Sequence, residues 1–301
     1  MRLRGVYTPI VSPFDGNDKI DYAVLEQVID HVIDGGVAGV IPCGTTGEYY
    51  ALNVEERTDV MKFVQKAVGD RAELIAGTNS TATRDIISFN KLAKDLGYKA
   101  VMLAPPFYSL PTQDELHQHF NMLLDAVDIP IVLYNFPARA GVEISMDVVL
   151  RLAAHPNVIG VKESSGDFAR FLQMISDITD HSQIVAGSDD QAFDYFAWGV
   201  QSWIAGASSV TPRQHVDVLE AALNGDLIQS RECMRKILPL LQNMESGKYN
   251  QKAKYGCELA GIAVGNTRAP LMPLNDEEKQ EFTKVYDIAV SAEEDTIRKV
   301  S

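Results

Sequence analysis

The chain has 301 residues, long enough to bury one large core, and its 46% hydrophobic and 23% charged content is that of an ordinary globular protein. A formal net charge of -14 repels phosphate backbones and anionic lipid, which argues against nucleic acid and membrane surfaces as partners. The first apolar stretch is too short for a signal-peptide core and no run of about 18 apolar residues occurs, while Cys43, Cys233 and Cys257 are odd in number and lack a CxxC pair, so a disulfide framework is not expected and a reducing cytoplasm is.

Strand-like runs recur along the chain. They are "GVYTPIV" (Gly5–Val11), "GVAGVIPCG" (Gly36–Gly44), "ELIAGT" (Glu73–Thr78) and "AVMLAPP" (Ala100–Pro106), then "IPIVLYNFP" (Ile129–Pro137), "VIGVKES" (Val158–Ser164), "QIVAGSD" (Gln183–Asp189) and "SWIAGAS" (Ser202–Ser208). Stretches of helical period lie between them; in the first, Val24, Leu25, Val28, Val32 and Ile33 share one face. Gly35, Gly69, Gly97 and Gly199 stand where helices end. Eight β-then-α units in roughly 225 residues predict a parallel (β/α)₈ barrel. A doubly wound sheet would call for a glycine-rich phosphate turn after the first strand, and "VYTPIVSPFDG" is not one. The barrel is expected over residues 1–224, its eighth helix spanning Thr211–Asn224, and a helical extension over 225–301. In that extension "LIQSRECMRKILPLLQNM", "NQKAKYGCELAGIAV" and "DEEKQEFTKVYDIAVSAEEDTIRKV" read as helices, with Asn266–Asn275 an extended connector.

Active sites of such barrels lie at the carboxyl ends of the strands. These ends supply "CGTTGE", "PPFYS", "YNFPARAG", "KESSGD", "GSDD" and "GASS", with one lysine among them. Lys162 follows the unbroken apolar run of Val158, Ile159 and Val161, so its stem crosses a buried wall. Burial lowers an ammonium pKa, and a neutral amine beside a carbonyl forms a Schiff base whose iminium serves as an electron sink. Taken alone, a structural lysine paired with Glu163 or another nearby carboxylate is the simpler explanation of the residue. Tyr134 ends the neighbouring strand and can reach the same pocket to move a proton, or simply be a rim aromatic. Thr45 and Thr46 lie in a tight turn whose hydroxyls and N–H groups suit a small carboxylate, though glycine and threonine are common in turns. Arg139 suits a second carboxylate held by two parallel hydrogen bonds, or is a solvated loop residue.

Together, "GTTGE", "PPFY", "YNFPARAG" and "GVKESSGD" at these spacings resemble the dihydrodipicolinate synthase and N-acetylneuraminate lyase family, pyruvate-dependent class I aldolases and lyases on a (β/α)₈ barrel. The resemblance runs from "GVYTPIVSPF" to "RAPLMPL". It implies Lys162 as the Schiff-base lysine, Tyr134 as the proton-transferring tyrosine, Thr45 in the proton relay and Thr46 on the pyruvate carboxylate. It further implies Tyr108 as the tyrosine that completes the relay across a tight dimer interface, and Gly187 and Ile204 as backbone positions lining the pyruvate pocket. No cofactor or metal is implied beyond the covalent adduct. Pyruvate and a small aldehyde or keto acid are the implied substrates, and a homotetramer built from dimers is the implied assembly.

Within the family, Arg139 and the GTTGE form match the synthase branch, which condenses pyruvate with aspartate semialdehyde on the way to lysine. Several positions depart from that branch. Trp203 and Gly206, in "SWIAGASSV", are expected to reshape the pocket for the second substrate, which favours paralogues acting on sugar acids, sialic acid or hydroxyproline-derived pyrrolines. Tyr49, Tyr50 and Phe107 replace residues that build the feedback site in lysine-inhibited synthases, which counts against inhibition by lysine. Two readings from other classes are weaker. A keto-acid sensor would not need Lys162, Tyr134 and Thr45 together, and a metal-dependent aldolase would need His and carboxylates clustered at strand ends, where His155, His181 and His215 do not fall.

Overall fold

The structure, a computed structural model, describes residues 2–178 and 181–291. In chain order its elements are β1 (Gly5–Pro9), α1 (Tyr22–Asp34), β2 (Gly39–Ile41), α2 (Val54–Val68), β3 (Glu73–Gly77), α3 (Thr83–Asp95), β4 (Ala100–Leu103) and α4 (Gln113–Ala126). There follow β5 (Ile131–Asn135), α5 (Pro137–Ala140), α6 (Met146–Ala153), β6 (Val158–Glu163), α7 (Phe168–Asp177), β7 (Gln183–Ala186), α8 (Ala192–Ala197), β8 (Ser202–Ile204) and α9 (Pro212–Leu223). Three further helices close the described chain: α10 (Leu227–Glu245), α11 (Tyr249–Leu259) and α12 (Asp276–Val290).

The strands form one closed parallel barrel in sequence order, β1 pairing with β8 through Val6 opposite Trp203. The apolar runs lack polar alternation because both of their faces are covered. Tyr7, Ile41, Ile75, Met102, Val132, Ile159, Val185 and Ile204 fill the barrel interior. Their neighbours Val6, Val40, Leu74, Val101, Leu133, Val161 and Trp203 point outward into the layer beneath the helices. Helix starts are set locally: Asn53 with Glu56, Thr112 with Glu115, and Asn275 with Glu278 form reciprocal capping boxes on α2, α4 and α12.

The observed strands are shorter than the apolar runs that announce them. Residues past each strand's carboxyl end stop pairing and turn into the loops that build the site. The buried face of α1 includes Ile29, which the sequence pattern left out. Helix α11 stops at Leu259, where Ala260 and Gly261 turn the chain, so "GIAV" is not helical. The expected helix over "DEEKQEFTKVYDIAVSAEEDTIRKV" is observed as α12, and residues 292–301 lie outside the described residues. Helix α10 packs on α8, α9 and α12, and α11 on α10, α12 and the turn Ala207–Ser209, which brings both to the mouth of the barrel. Among the described residues, no helix is long and apolar enough to cross a membrane.

Candidate active site

The register of β5 against β6 sets Tyr134 opposite Lys162 and Asn135 opposite Glu163. Because side chains alternate along a strand, the first pair points into the barrel and the second outward. The outward pair is locked. Asn135 Nδ2 donates to both Glu163 carboxylate oxygens at 3.1 Å, Arg170 Nε donates to Glu163 Oε2 at 3.0 Å, and Ser165 N donates to Oε1 at 2.8 Å. Arg170 also donates to the Ile144 carbonyl at 2.6 Å, and Ile144 N to Asn135 Oδ1 at 3.0 Å. Glu163 is therefore committed to Arg170 and makes no ion pair with Lys162.

Lys162 is 5% exposed, and its Nζ lies 4.1 Å from the centre of the Tyr134 ring. Burial lowers its pKa to about 8, against the opposing pull of Asp189 and Glu245 and with some help from Arg139. Burial likewise pushes the Tyr134 phenol up, so it is protonated at neutral pH. Asp189, buried beside Lys162, accepts from Trp203 Nε1 at 3.0 Å, the Tyr249 hydroxyl at 3.1 Å and Ala207 N at 3.4 Å. Burial raises its pKa, and the nearby Lys162 charge opposes the shift.

The Gly44–Glu48 turn is held in an unusual backbone form, with Cys43 and Glu48 in the left-handed region. Contacts from α11 and the connector that follows it fix it there. Lys254 Nζ pairs with Glu48 Oε1 at 2.9 Å, Arg268 N donates to Glu48 Oε2 at 3.0 Å, and Asn250 Nδ2 donates to the Thr45 carbonyl at 3.0 Å. Thr45 and Thr46 are thereby presented to the same chamber as Lys162, Tyr134, Arg139, Gly187, Asp189, Gly206, Glu245 and Tyr249, a space of about 30 Å³. Thr45, Tyr134, Phe136 and Arg139 also border a wider vestibule of about 240 Å³, whose other walls include Tyr49, Tyr50, Pro105 and Phe107.

All eight expected site residues lie at this end of the barrel, and seven of them stand at or beside the chamber. Ile204 ends β8 on the inner face, and Gly187 follows β7 against the Lys162 stem. A methyl group on Gly187 would collide with Ser164 Oγ and stand 2.7 Å from Lys162 Cγ. Gly187→Ala is expected to lower stability by about 1–3 kcal/mol through overpacking and to slow adduct formation on Lys162, as thermal unfolding and borohydride trapping would show. Tyr108 is the exception. It sits in the loop after β4, 93% exposed and with φ of 76°, and lies outside both cavities of its own chain.

One expectation is corrected. Trp203 does not line the pocket: it is fully buried on the outer face of β8, 4.7 Å from the His215 ring, and acts on the site by holding Asp189. Gly206 does line it, and a methyl group there would collide with the Tyr249 hydroxyl and stand 2.9 Å from Thr46 Oγ1. Asp189, Glu245 and Tyr249 were missed. "GSDD" stood among the strand ends, but nothing local in "NMESGKYN" distinguishes Glu245 and Tyr249 from residues of an ordinary helix junction.

A closed (β/α)₈ barrel with a buried lysine and a facing tyrosine at its carboxyl end defines a class I aldolase or lyase. A family model described as "Dihydrodipicolinate synthetase family" matches residues 2–289, and the chain belongs to that family of pyruvate-dependent aldolases. It is 35% identical over 289 residues to a 4-hydroxy-tetrahydrodipicolinate synthase of Listeria monocytogenes, covering 95% of this chain and 99% of the relative. It is 34% identical over 279 residues to one from Methanosarcina barkeri, covering 92% and 95%. Among solved structures it is similar to the chloride-inhibited dihydrodipicolinate synthase of Acinetobacter baumannii complexed with pyruvate. That match has a TM-score of 0.92 and 31% identity, over 95% of this chain and 98% of the other.

Proposed function

We propose that the protein condenses pyruvate with aspartate semialdehyde, as a 4-hydroxy-tetrahydrodipicolinate synthase. The observation that carries the reading is the placing of Arg139 where the chamber of Lys162 opens into the vestibule. A substrate bound covalently at Lys162 leaves Arg139 free for the carboxylate of a second one. The neutral Lys162 amine attacks the pyruvate carbonyl carbon, water leaves, and an iminium forms with Thr46 on the pyruvate carboxylate. Gly187 and Ile204 shape the wall around it through their backbone. Tyr134 gives its proton to the hydroxyl that departs as water, and the phenolate so formed, with Thr45 in the relay, accepts a methyl proton to give the enamine, whose carbon attacks the aldehyde. The resulting alkoxide takes a proton back, and hydrolysis or an amine of the product then frees Lys162.

Tyr108 has no role within its own chain in this scheme. Its strained backbone, its exposure and the aromatic vestibule together support a partner copy inserting Tyr108 beside Thr45 and Tyr134 to complete the relay, as in a dimer-based tetramer.

Arg139→Ala is expected to lower kcat/KM for the second substrate by about 10- to 100-fold, the worth of one charge-assisted contact of roughly 1.5–3 kcal/mol, while pyruvate trapping on Lys162 is nearly retained. Arg139→Lys should recover little, because a point charge does not reproduce the planar fork. Brisk turnover of sugar acids with none of aspartate semialdehyde would overturn the synthase reading and leave the Schiff-base chemistry standing.

A further inference from the structure

Two acidic side chains share the chamber with Lys162 and Arg139, and the condensation scheme uses neither. Asp189 is fully engaged by Trp203, Ala207 and Tyr249. Glu245 is different. It is the last residue of α10, it lines the chamber while being exposed to solvent on its other side, and it makes no ion pair within 4 Å among the described residues. The charged and titratable groups around it come from five elements: Tyr134 on β5, Arg139 on α5, Lys162 on β6, Asp189 and Asp190 after β7, and Tyr249 on α11. Arg139 has its guanidinium 5.7 Å from the Tyr249 ring centre and 5.6 Å from that of Phe136, and among the described residues no carboxylate lies within 4 Å of it.

The geometry points to Glu245 as a specificity residue that sets which second substrate Arg139 accepts: a carboxylated aldehyde enters only with Glu245 protonated, whereas a neutral hydroxylated aldehyde is indifferent to it. The argument is one of charge. The cationic Arg139 and the anionic form of Glu245 border one small space, and an incoming carboxylate gains from the first while the second repels it. Desolvation, then Asp189, raise the Glu245 carboxyl to about 7 against the pull of Arg139, so its proton is exchanged near neutral pH. Below that value Glu245 is neutral and Arg139 is unopposed. Above it, binding of a carboxylate requires uptake of a proton, and affinity falls with rising pH. The inference rests on the reading of Arg139 as the anchor of the second substrate.

The test is a ratio, so that the shared titrations of Lys162 and Tyr134 cancel. The kcat/KM for aspartate semialdehyde is divided by that for glyceraldehyde, each with saturating pyruvate, from pH 6 to 8.5. In the wild type the ratio is expected to fall at least about tenfold over that range, approaching one decade per pH unit above the Glu245 transition. In Glu245→Gln it is expected to be flat and higher than wild type at pH 8.5. Glu245→Asp, which restores the charge, should restore the slope. A purely structural role would move both aldehydes together. A Glu245→Gln ratio that follows the wild-type pH curve overturns the inference. If aspartate semialdehyde is not turned over, the synthase reading fails on its own, and succinic semialdehyde replaces it. Turnover of that carboxylated aldehyde gained or made pH-independent in Glu245→Gln supports the inference, and none in either protein overturns it.

Discussion

Lys162→Ala is expected to abolish covalent capture of pyruvate. With pyruvate and borohydride the wild type should gain a reduced pyruvyl adduct on the peptide that contains Lys162, and the alanine variant none, with no turnover. A low pKa by itself does not single out this lysine. Lys254 is also pushed down by burial to about 8, but its Nζ is 2.9 Å from Glu48 and 2.7 Å from the Asn266 carbonyl, and it lies outside the chamber. An adduct that persists in Lys162→Ala and maps to Lys254 would overturn the assignment. The pH dependence has a definite sign. The neutral amine is the nucleophile, so the trapping rate should rise as pH increases toward about 8 and level off above it. At pH 7 the shift from an ordinary lysine value makes the neutral form roughly 300-fold more abundant.

Tyr134→Phe is expected to lower kcat by about 10²–10⁴-fold, the usual worth of a positioned acid–base group, with a far smaller change in the KM for pyruvate. The substitution keeps the ring against which the Lys162 ammonium rests and removes the one oxygen that carries the proton. Burial keeps this phenol protonated in the resting site, so it enters the cycle as an acid, and it accepts a proton once the iminium has made the pyruvate methyl group acidic. Pre-steady-state kinetics should then show both adduct formation and the methyl proton transfer that follows it slowed in Tyr134→Phe. An unchanged kcat with chemistry rate-limiting would remove Tyr134 from the scheme.

These two residues also show how much of the site was readable in the chain. Lys162 and Tyr134 each end a run of buried apolar residues, and a strand with no polar alternation leaves a terminal polar side chain few places to go except the barrel mouth. Their neighbours Asn135 and Glu163 carried no such message. Whether Glu163 belonged to Lys162 or elsewhere depended on Arg170, one turn into α7, and on which face each strand residue took. Trp203 was misread for the same reason: a one-residue alternation sends Ile204 into the barrel and Trp203 out of it.

By itself the sequence determined the eight-fold β/α alternation, the closure it implies and the positions that end each strand. Those properties are local: hydrophobic period, turn residues and capping groups act over a few residues and need no knowledge of the rest of the chain. The tertiary structure decided what stands around Lys162. Glu245 and Tyr249 are more than 80 positions from it and reach its chamber because α10 and α11 fold back over the barrel mouth, where Lys254, Asn250 and Arg268 also brace the Thr45–Thr46 turn. Burial, and the charges brought together in this way, set the protonation of the lysine and the sign of the field at Arg139. Coulomb and desolvation effects depend on distance through space and on burial, and neither is encoded in the spacing of residues along the chain.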